Sequence, residues 1–496
     1  MVSRIFNFKN ISLPPVQCAA VGAVAGFYLF FNLRIALIIT VISILLAALC
    51  LLRVLSSVDP DSRKLRLFST CAAALTFGAV LGVCAANAGK NEIKFGIPEN
   101  KITAIEGVML EDPRIISSGS AMVSVSLRAC TAGSAGKGTS MKAGSSGEVT
   151  VFFQPENAEK LKQFGRGTVI FAEGALRSSQ RGYSFSAKSL HITNRAPSVE
   201  KMRTNIRLGL IKRFEKEKWG GLALALLLGV RDNLDTEFTT QYRNAGLSYI
   251  LALSGMHLAI IAALISFLLK KPLGLNASLI TGAVIIILYC LLVGPMPSLN
   301  RSALMYVLGV LAVLGSLPKK AMSVLSLSFL IQIIVTPAAG NTLSFILSYA
   351  ALLGILITGK AFASIFKGMI PDFVLQPLSL STGAFLATAG ICGFVFGMIA
   401  PMGIITGLAV APLTTVFMIG SIIWLALDFI SLSFLLSFPL FIVYRLMEII
   451  ASVAGNIPGL TGNPALMLVM SIILSLAIIV YEQRRRSDML RLDSFL

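Results

Sequence analysis

Histidine is scarce in this chain, with two in 496 residues, and no Cys-x-x-Cys pair occurs. A histidine-rich metal centre and a thioredoxin-like redox pair are therefore excluded, and the sequence offers no metal or cofactor site. Six of the seven cysteines (Cys18, Cys50, Cys71, Cys84, Cys290, Cys392) lie in or beside apolar segments, where they pack as small hydrophobes. Cys130 stands alone in the polar region, so no internal disulfide forms there. Charge is short too. Only 13% of residues are charged, against roughly a quarter in a soluble domain, which excludes a soluble protein of this size. The acidic sign is the rarer, 23 Asp and Glu against 42 Lys and Arg, for a net charge of +19.

Hydrocarbon takes the place of charge: 55% of the chain is hydrophobic. Apolar segments fall at about 16–33, 35–52, 67–87, 247–269, 273–293, 300–316, 321–336, 343–359, 377–399, 402–426, 429–447 and 464–481. About twelve spans follow, and with them a polytopic α-helical membrane protein. The first segment is read as a span and not a cleaved signal peptide, because a second follows immediately. Much of the positive excess is then topogenic. Arg53, Arg63, Lys64 and Arg66 place the second loop in the cytoplasm. Alternation puts Lys270/Lys271, Lys319/Lys320, Lys360/Lys367 and Arg484–Arg486 on that same side. Both termini are thus expected inside, and the polar stretch 88–200 outside. A nucleic-acid partner is compatible with the charge but not implied by it.

The polar stretch reads as β. Ile102–Leu110, Ala121–Cys130, Glu148–Gln154, Gly167–Leu176 and Tyr183–Ile192 alternate apolar and polar residues or are rich in β-branched and aromatic types. Five strands of this length predict a small extracytoplasmic β-barrel of the OB type. The tract TAGSAGKGTSMKAGSSG between the second and third reads as a flexible hairpin loop. Phe153 and Tyr183, with Arg166, Arg177, Arg181 and Lys188 nearby, are candidates for holding single strands by stacking and charge. The competing reading makes those aromatics barrel core, and His191 on the fifth strand structural. A basic amphipathic helix follows at 201–220, suited to the membrane interface, with Ile206, Leu210 and Phe214 at helical spacing. The chain thus divides into N-terminal spans (1–87), the β domain (88–200), the interfacial helix (201–220), a helical membrane domain (221–483) and a cytoplasmic tail (484–496).

Two polar elements interrupt the membrane domain. His257 enters an apolar run beside Ser254 and Gly255, and ionisable groups at that depth usually face a protein interior or a wet cavity. Three residues apart, Ser254 and His257 would share one helix face. Packing through small residues is the bland alternative. Asn300 and Arg301 follow the helix-breaking GPMPSL, and Arg301 either snorkels to the interface or meets something anionic inside. Gln332, Asn341 and Ser348 are read singly as helix–helix contacts.

These stretches carry a family likeness. GLSYILALSGMHLAII (246–261) resembles the hallmark segment of the ComEC competence proteins, the inner-membrane channel for DNA uptake. ALLLGVRDNLDTEF, PMPSLNRSALMYVLG, TLSFILSYAALLGIL and ATAGICGFVFGMIAPMGIITGLAVAPLTT resemble further elements of the same family, and the likeness runs from about 220 to 412. The resemblance implies passage of single-stranded DNA to the cytosol. It places Ser254, Gly255, His257, Arg231, Asn300 and Arg301 in the channel motifs; on physical grounds a few cations such as Arg301, Arg231 and Arg243 suit such a path better than a dense lining. It also implies a DNA receptor outside, a separate nuclease, and a cytoplasmic motor or single-strand-binding protein. Tyr249 stands where the family often has a second histidine. No HxHxDH motif follows the last span, so a nuclease step is expected to belong to another protein. Two other classes stay open: a small-solute secondary transporter, although no internal repeat is evident, and an intramembrane serine hydrolase with Ser254 as nucleophile and His257 as base. Same-helix partners three apart rarely align for proton transfer, and no third orienting group is evident.

Overall fold

The computed structural model describes residues 15–29, 62–89, 93–116, 119–132, 141–179, 182–317, 320–457 and 459–493. In chain order the elements begin with helices α1 (Pro15–Leu29) and α2 (Ser62–Ala88). The β region holds β1 (Ile102–Met109), β2 (Arg114–Ile115), β3 (Ala121–Ala132), β4 (Met141–Gly144), β5 (Glu148–Phe153), helix α3 (Pro155–Leu161), β6 (Val169–Ser179), β7 (Gly182–Ala187) and β8 (His191–Asn194). Helices α4 (Ser198–Phe214), α5 (Gly220–Leu228), α6 (Thr236–Asn244), α7 (Ser248–Leu251), α8 (Gly255–Val293), α9 (Pro297–Leu314), α10 (Ala321–Val335), α11 (Leu343–Gly354), α12 (Lys360–Phe366) and α13 (Asp372–Phe396) follow. The chain closes with β9 (Met398–Ile399), α14 (Gly403–Asp428), α15 (Phe434–Gly455), β10 (Leu460–Thr461) and α16 (Pro464–Asp493).

Among the described residues, eight helices are long and apolar enough to cross a membrane, and α1 and α10 are shorter apolar helices. The segment 35–52, read above as a span, lies outside the described residues. The longest of the eight, α8, has 39 residues but is not one rod. Gly274 breaks it at φ 76°, ψ 175°, just after Pro272. An unbroken helix of that length would separate its ends by nearly 60 Å, at ~1.5 Å per residue. Yet Leu253, just before α8, and Met296, just after it, reach the same point beside Gly229: a Cβ there would lie 2.8 Å from Leu253 Cδ1 and 2.6 Å from Met296 Cε. The chain therefore reverses at Gly274, and the two apolar segments expected there form a hairpin.

The structure falls into two compact units: Met1–Lys90 with Asn300–Phe394 and Pro464–Leu496, and Asn91–Leu299 with Val395–Asn463. In the first, α1 and α2 pack through glycines. A Cβ on Gly22 or Gly26 would strike the backbone of Leu75 and Ala79, and one on Gly78 or Gly82 the backbone of Ala19 and Ala23. Small residues of this kind let apolar helices approach closely where no hydrophobic force drives them together. The pairs advance together along both helices, so α1 and α2 run parallel.

In the second unit, β1, β3, β5, β7 and β6 close a five-stranded barrel in that order, β6 pairing back onto β1. All these pairings are antiparallel except β5 with β7. Alternation fixes the register: Val123 and Val125 of β3 and Val149, Val151 and Phe153 of β5 point inward. With Ile105, Met109, Ile170 and Phe185 they form the core, and each large side chain fully buried contributes about 1.5–3 kcal/mol. Helix α3 lies between β5 and β6 and buries Ala158 and Leu161 against this core.

Three sequence expectations are corrected here. The fifth strand ends at Ala187, because the N–H groups of Lys188 and Ser189 turn to Glu173 O; His191 belongs to the separate β8. Part of the tract expected as a loop, Met141–Gly144, is strand β4, paired with β3. The basic helix begins at Ser198 and ends at Phe214, where the chain leaves the helix before α5 starts at Gly220.

Candidate functional site

Helix α5 stops at Gly229, which takes the left-handed conformation (φ 70°) that a side chain would resist. Asp235 caps α6, its carboxylate accepting from Glu237 N–H at 3.1 Å. After the single turn α7 the chain is extended at Ala252 and Ser254 and enters α8. Ser254 is thus the N-cap and His257 lies in the first turn, not on a shared mid-helix face. Ser254 N–H donates to His257 Nδ1 at 3.0 Å. A backbone N–H can only donate, so Nδ1 accepts and the ring proton sits on Nε2. His257 is fully buried, and Nε2 has no hydrogen-bond partner among the described residues. Ser254 Oγ also lies 3.0 Å from Nδ1, the separation a nucleophile–base pair would need. Nδ1 already serves the backbone, however, and no group among the described residues orients Nε2, so the geometry is that of a cap.

Arg301 sits in the second turn of α9 and is 7% exposed. Its Nε donates to Ser348 Oγ at 2.7 Å. Among the described residues the other nitrogens meet only weak acceptors, Nη1 the Met305 thioether sulfur at 3.6 Å and Nη2 Ser302 Oγ at 3.4 Å. The guanidinium lies over the Tyr349 ring, 5.7 Å from its centroid. Tyr349 in turn donates to Gln332 Oε1 at 3.0 Å and meets Ser328 Oγ at 3.3 Å, so α9, α10 and α11 converge on one polar cluster. Arg301 takes part in none of the ion pairs among the described residues. Sequence reading named Arg301, Ser348 and Gln332 separately and missed Tyr349, whose only signal was its place next to Ser348.

A second buried cationic group has the opposite character. Asp112, in the loop after β1, holds Arg203 at 2.5 Å and Arg207 at 2.9 Å, both from α4. Glu200 bonds Arg203 and Arg166 at 2.8 Å each, and Arg203 Nη1 reaches Leu292 O near the end of α8. Burial alone would raise the Asp112 carboxyl, but Arg207 and Arg203 outweigh it and hold it below the usual carboxylate range. Two arginines of the expected interfacial stripe are thereby turned onto the barrel. Ile206 is exposed, and Phe214 packs in the helical core.

The barrel residues proposed to grip nucleic acid fare differently. Phe153 is 1% exposed and fills the barrel core, so its ring is not free to stack on a base; that expectation is corrected. Arg166 is held by Glu200 and by the Asp112 loop, which accepts its backbone N–H. Tyr183 donates to Glu99 at 2.5 Å and packs edge-on against Phe95. Arg177 and Lys188 are exposed, and Arg181 lies outside the described residues. Arg231 is exposed in the loop between α5 and α6, and Asn300 is half-buried. Ser254, Gly255, His257 and Arg231 belong to one unit, Asn300 and Arg301 to the other.

A family model described as Competence protein matches residues 226–486, more than half the chain, and includes both the Ser254–His257 cap and Arg301. ComE operon protein 3 of Bacillus subtilis (strain 168) is 30% identical over 168 residues, 32% of this chain and 21% of that protein. An uncharacterized protein of Aquifex aeolicus (strain VF5) is 27% identical over 243 residues, 48% of this chain and 54% of its own length. The matched regions thus span about a fifth and about half of these two relatives. No solved structure matches. With long apolar helices, a five-stranded barrel and this match across the helical region, the chain is a membrane protein belonging to the competence protein family.

Proposed function

We propose that this protein is an inner-membrane channel through which single-stranded DNA is imported during natural transformation. The observation that carries the reading is the family match over 226–486, which takes in both polar interruptions of the membrane domain. A polyanion crossing hydrocarbon needs a wet path with a few cations, since a dense basic lining would bind too tightly to release. Ser254, Gly255, His257, Arg231, Asn300 and Arg301 are the residues assigned to that path. The barrel strand order, with one parallel closure and a helix between the third and fourth barrel strands, suits the OB type. It stands outside, where the exposed Arg177 and Lys188 are candidates to contact a strand, Arg181 and Tyr183 with them.

Counting the α8 hairpin as two and adding α1 and α10 gives eleven candidate spans among the described residues; the twelfth of the proposed topology is segment 35–52, which lies outside them. Both termini then face the cytoplasm. A receptor outside, a separate nuclease and a cytoplasmic motor or single-strand-binding protein complete the pathway, as does the surrounding bilayer.

The test is transformation in a strain lacking this gene, scored by uptake of labelled DNA. Uptake lost on deletion and restored by the full chain is expected. Normal uptake in the deletion strain, with a defect in a small solute instead, would favour a secondary transporter. Full activity in a Ser254→Ala variant would eliminate the serine hydrolase.

A further inference from the structure

Arginine at membrane depth is costly unless something shares its charge. Arg301 is buried on an apolar span, yet its neighbours are hydroxyls, a thioether and an aromatic face. Its Nε edge is committed to Ser348 at 2.7 Å, while among the described residues the Nη1/Nη2 fork meets only a thioether sulfur at 3.6 Å and a hydroxyl at 3.4 Å, neither of them charged. That fork is the edge which pairs bidentately with two oxygens of a carboxylate or phosphate. The ring beneath is not free to turn away, because the Tyr349 hydroxyl is tied to Gln332 on α10.

From this geometry we infer that Arg301 is a phosphodiester-binding site, its fork facing two non-bridging oxygens, with Tyr349 as a positioning residue that keeps the guanidinium in place. The inference deepens the channel reading and partly rests on it. Two sources offer the same chemistry: the backbone of a passing strand and the headgroup of a phospholipid. A phosphodiester and a carboxylate both offer one charge spread over two oxygens, but the phosphodiester flanks that charge with two uncharged ester groups, which suit the thioether and aromatic neighbours of Arg301.

The test uses the full-length protein in detergent, with labelled oligodeoxythymidylate titrated at several salt concentrations and retained phospholipid read by native mass spectrometry. For a strand phosphate, Arg301→Ala weakens binding about tenfold or more, and the log–log salt slope becomes shallower by roughly 0.7, the contribution of one single-strand phosphate. Arg301→Lys keeps the slope, because it keeps the charge, yet binds more weakly than the parent because it lacks the fork. Tyr349→Phe retains the ring and loses only the tether, so its fold is safe; it weakens binding less than Arg301→Ala does and leaves the slope intact. Should wild-type protein bind no strand but carry a phospholipid that Arg301→Ala loses, the channel reading fails and the phosphodiester site stands, with lipid as its source. Strand affinity, salt slope and lipid content all unchanged in a folded Arg301→Ala protein would overturn the inference.

Discussion

Arg203 and Arg301 are both buried guanidinium groups, and they are held in opposite ways. Arg203, with Arg207, meets the Asp112 carboxylate, and Glu200 and a main-chain carbonyl complete its shell. Arg301 meets no carboxylate among the described residues. A buried charge left unneutralised is a cost that folding alone does not reward. The first cluster therefore reads as a fastening between the barrel and α4, the second as a position kept for something that arrives. Both contain buried arginine; only the counter-charge distinguishes them.

The comparison breaks most visibly at Asp112. Asp112→Ala leaves Arg207 without its ion-pair partner and Arg203 with Glu200 as its remaining carboxylate, so it is expected to destabilise the full-length chain by about 3–5 kcal/mol. Chemical unfolding in detergent measures this; a loss of under about 1 kcal/mol, the range of an exposed pair, would reduce the cluster to surface decoration. The same fastening is pH-dependent in a defined direction. The folded carboxyl titrates below its ordinary value of 3.8, so its stabilisation is complete above that value and is lost as pH falls through it toward the lower folded pKa. Asp112→Asn should remove this acid limb while leaving stability nearly flat across the same window.

Arg301→Met sharpens the contrast from the other side. Removing an uncompensated charge should leave thermal stability unchanged or raise it. DNA uptake should fall by about 10–100-fold, corresponding to the roughly 1.5–3 kcal/mol of a charge-assisted hydrogen bond. Reduced stability with normal uptake would show that Arg301 serves the fold and not the cargo.

The difference between the clusters was only half visible in the sequence. Five barrel strands could be found because alternation is a local signal, and the α8 reversal was marked by Lys270, Lys271 and Pro272. The end of the fifth strand was hidden, since an extended pattern continues past Ala187 while the N–H groups turn to Glu173. The start of α8 was hidden as well: the residues before Ser254 are apolar in every register, so periodicity cannot mark a break there. Arg203 looked like part of a solvated stripe because Asp112 lies 91 residues away and only the barrel brings it near. Arg301 stood out as odd, but its partners Ser348 and Tyr349 lie on another helix and became a cluster only through packing.

The smallest expected effect concerns the α8 cap, which carries no formal charge. His257→Ala removes the acceptor for Ser254 N–H at an otherwise apolar helix start, a loss of about 1 kcal/mol of the kind seen for N-caps. Ser254→Ala keeps that N–H and its bond to the ring but removes the other half of the capping box, the Ser254 side chain accepting from the His257 N–H, so it should cost about as much. A reactive Ser–His pair predicts that both variants are equally dead, because neither partner works without the other. Stability and DNA uptake measured together on the two variants therefore separate a cap from a catalyst. If His257→Ala abolishes uptake while costing no more than the cap, the unpartnered Nε2–H is the group at work, since it is the one donor on that ring which the fold itself leaves unused.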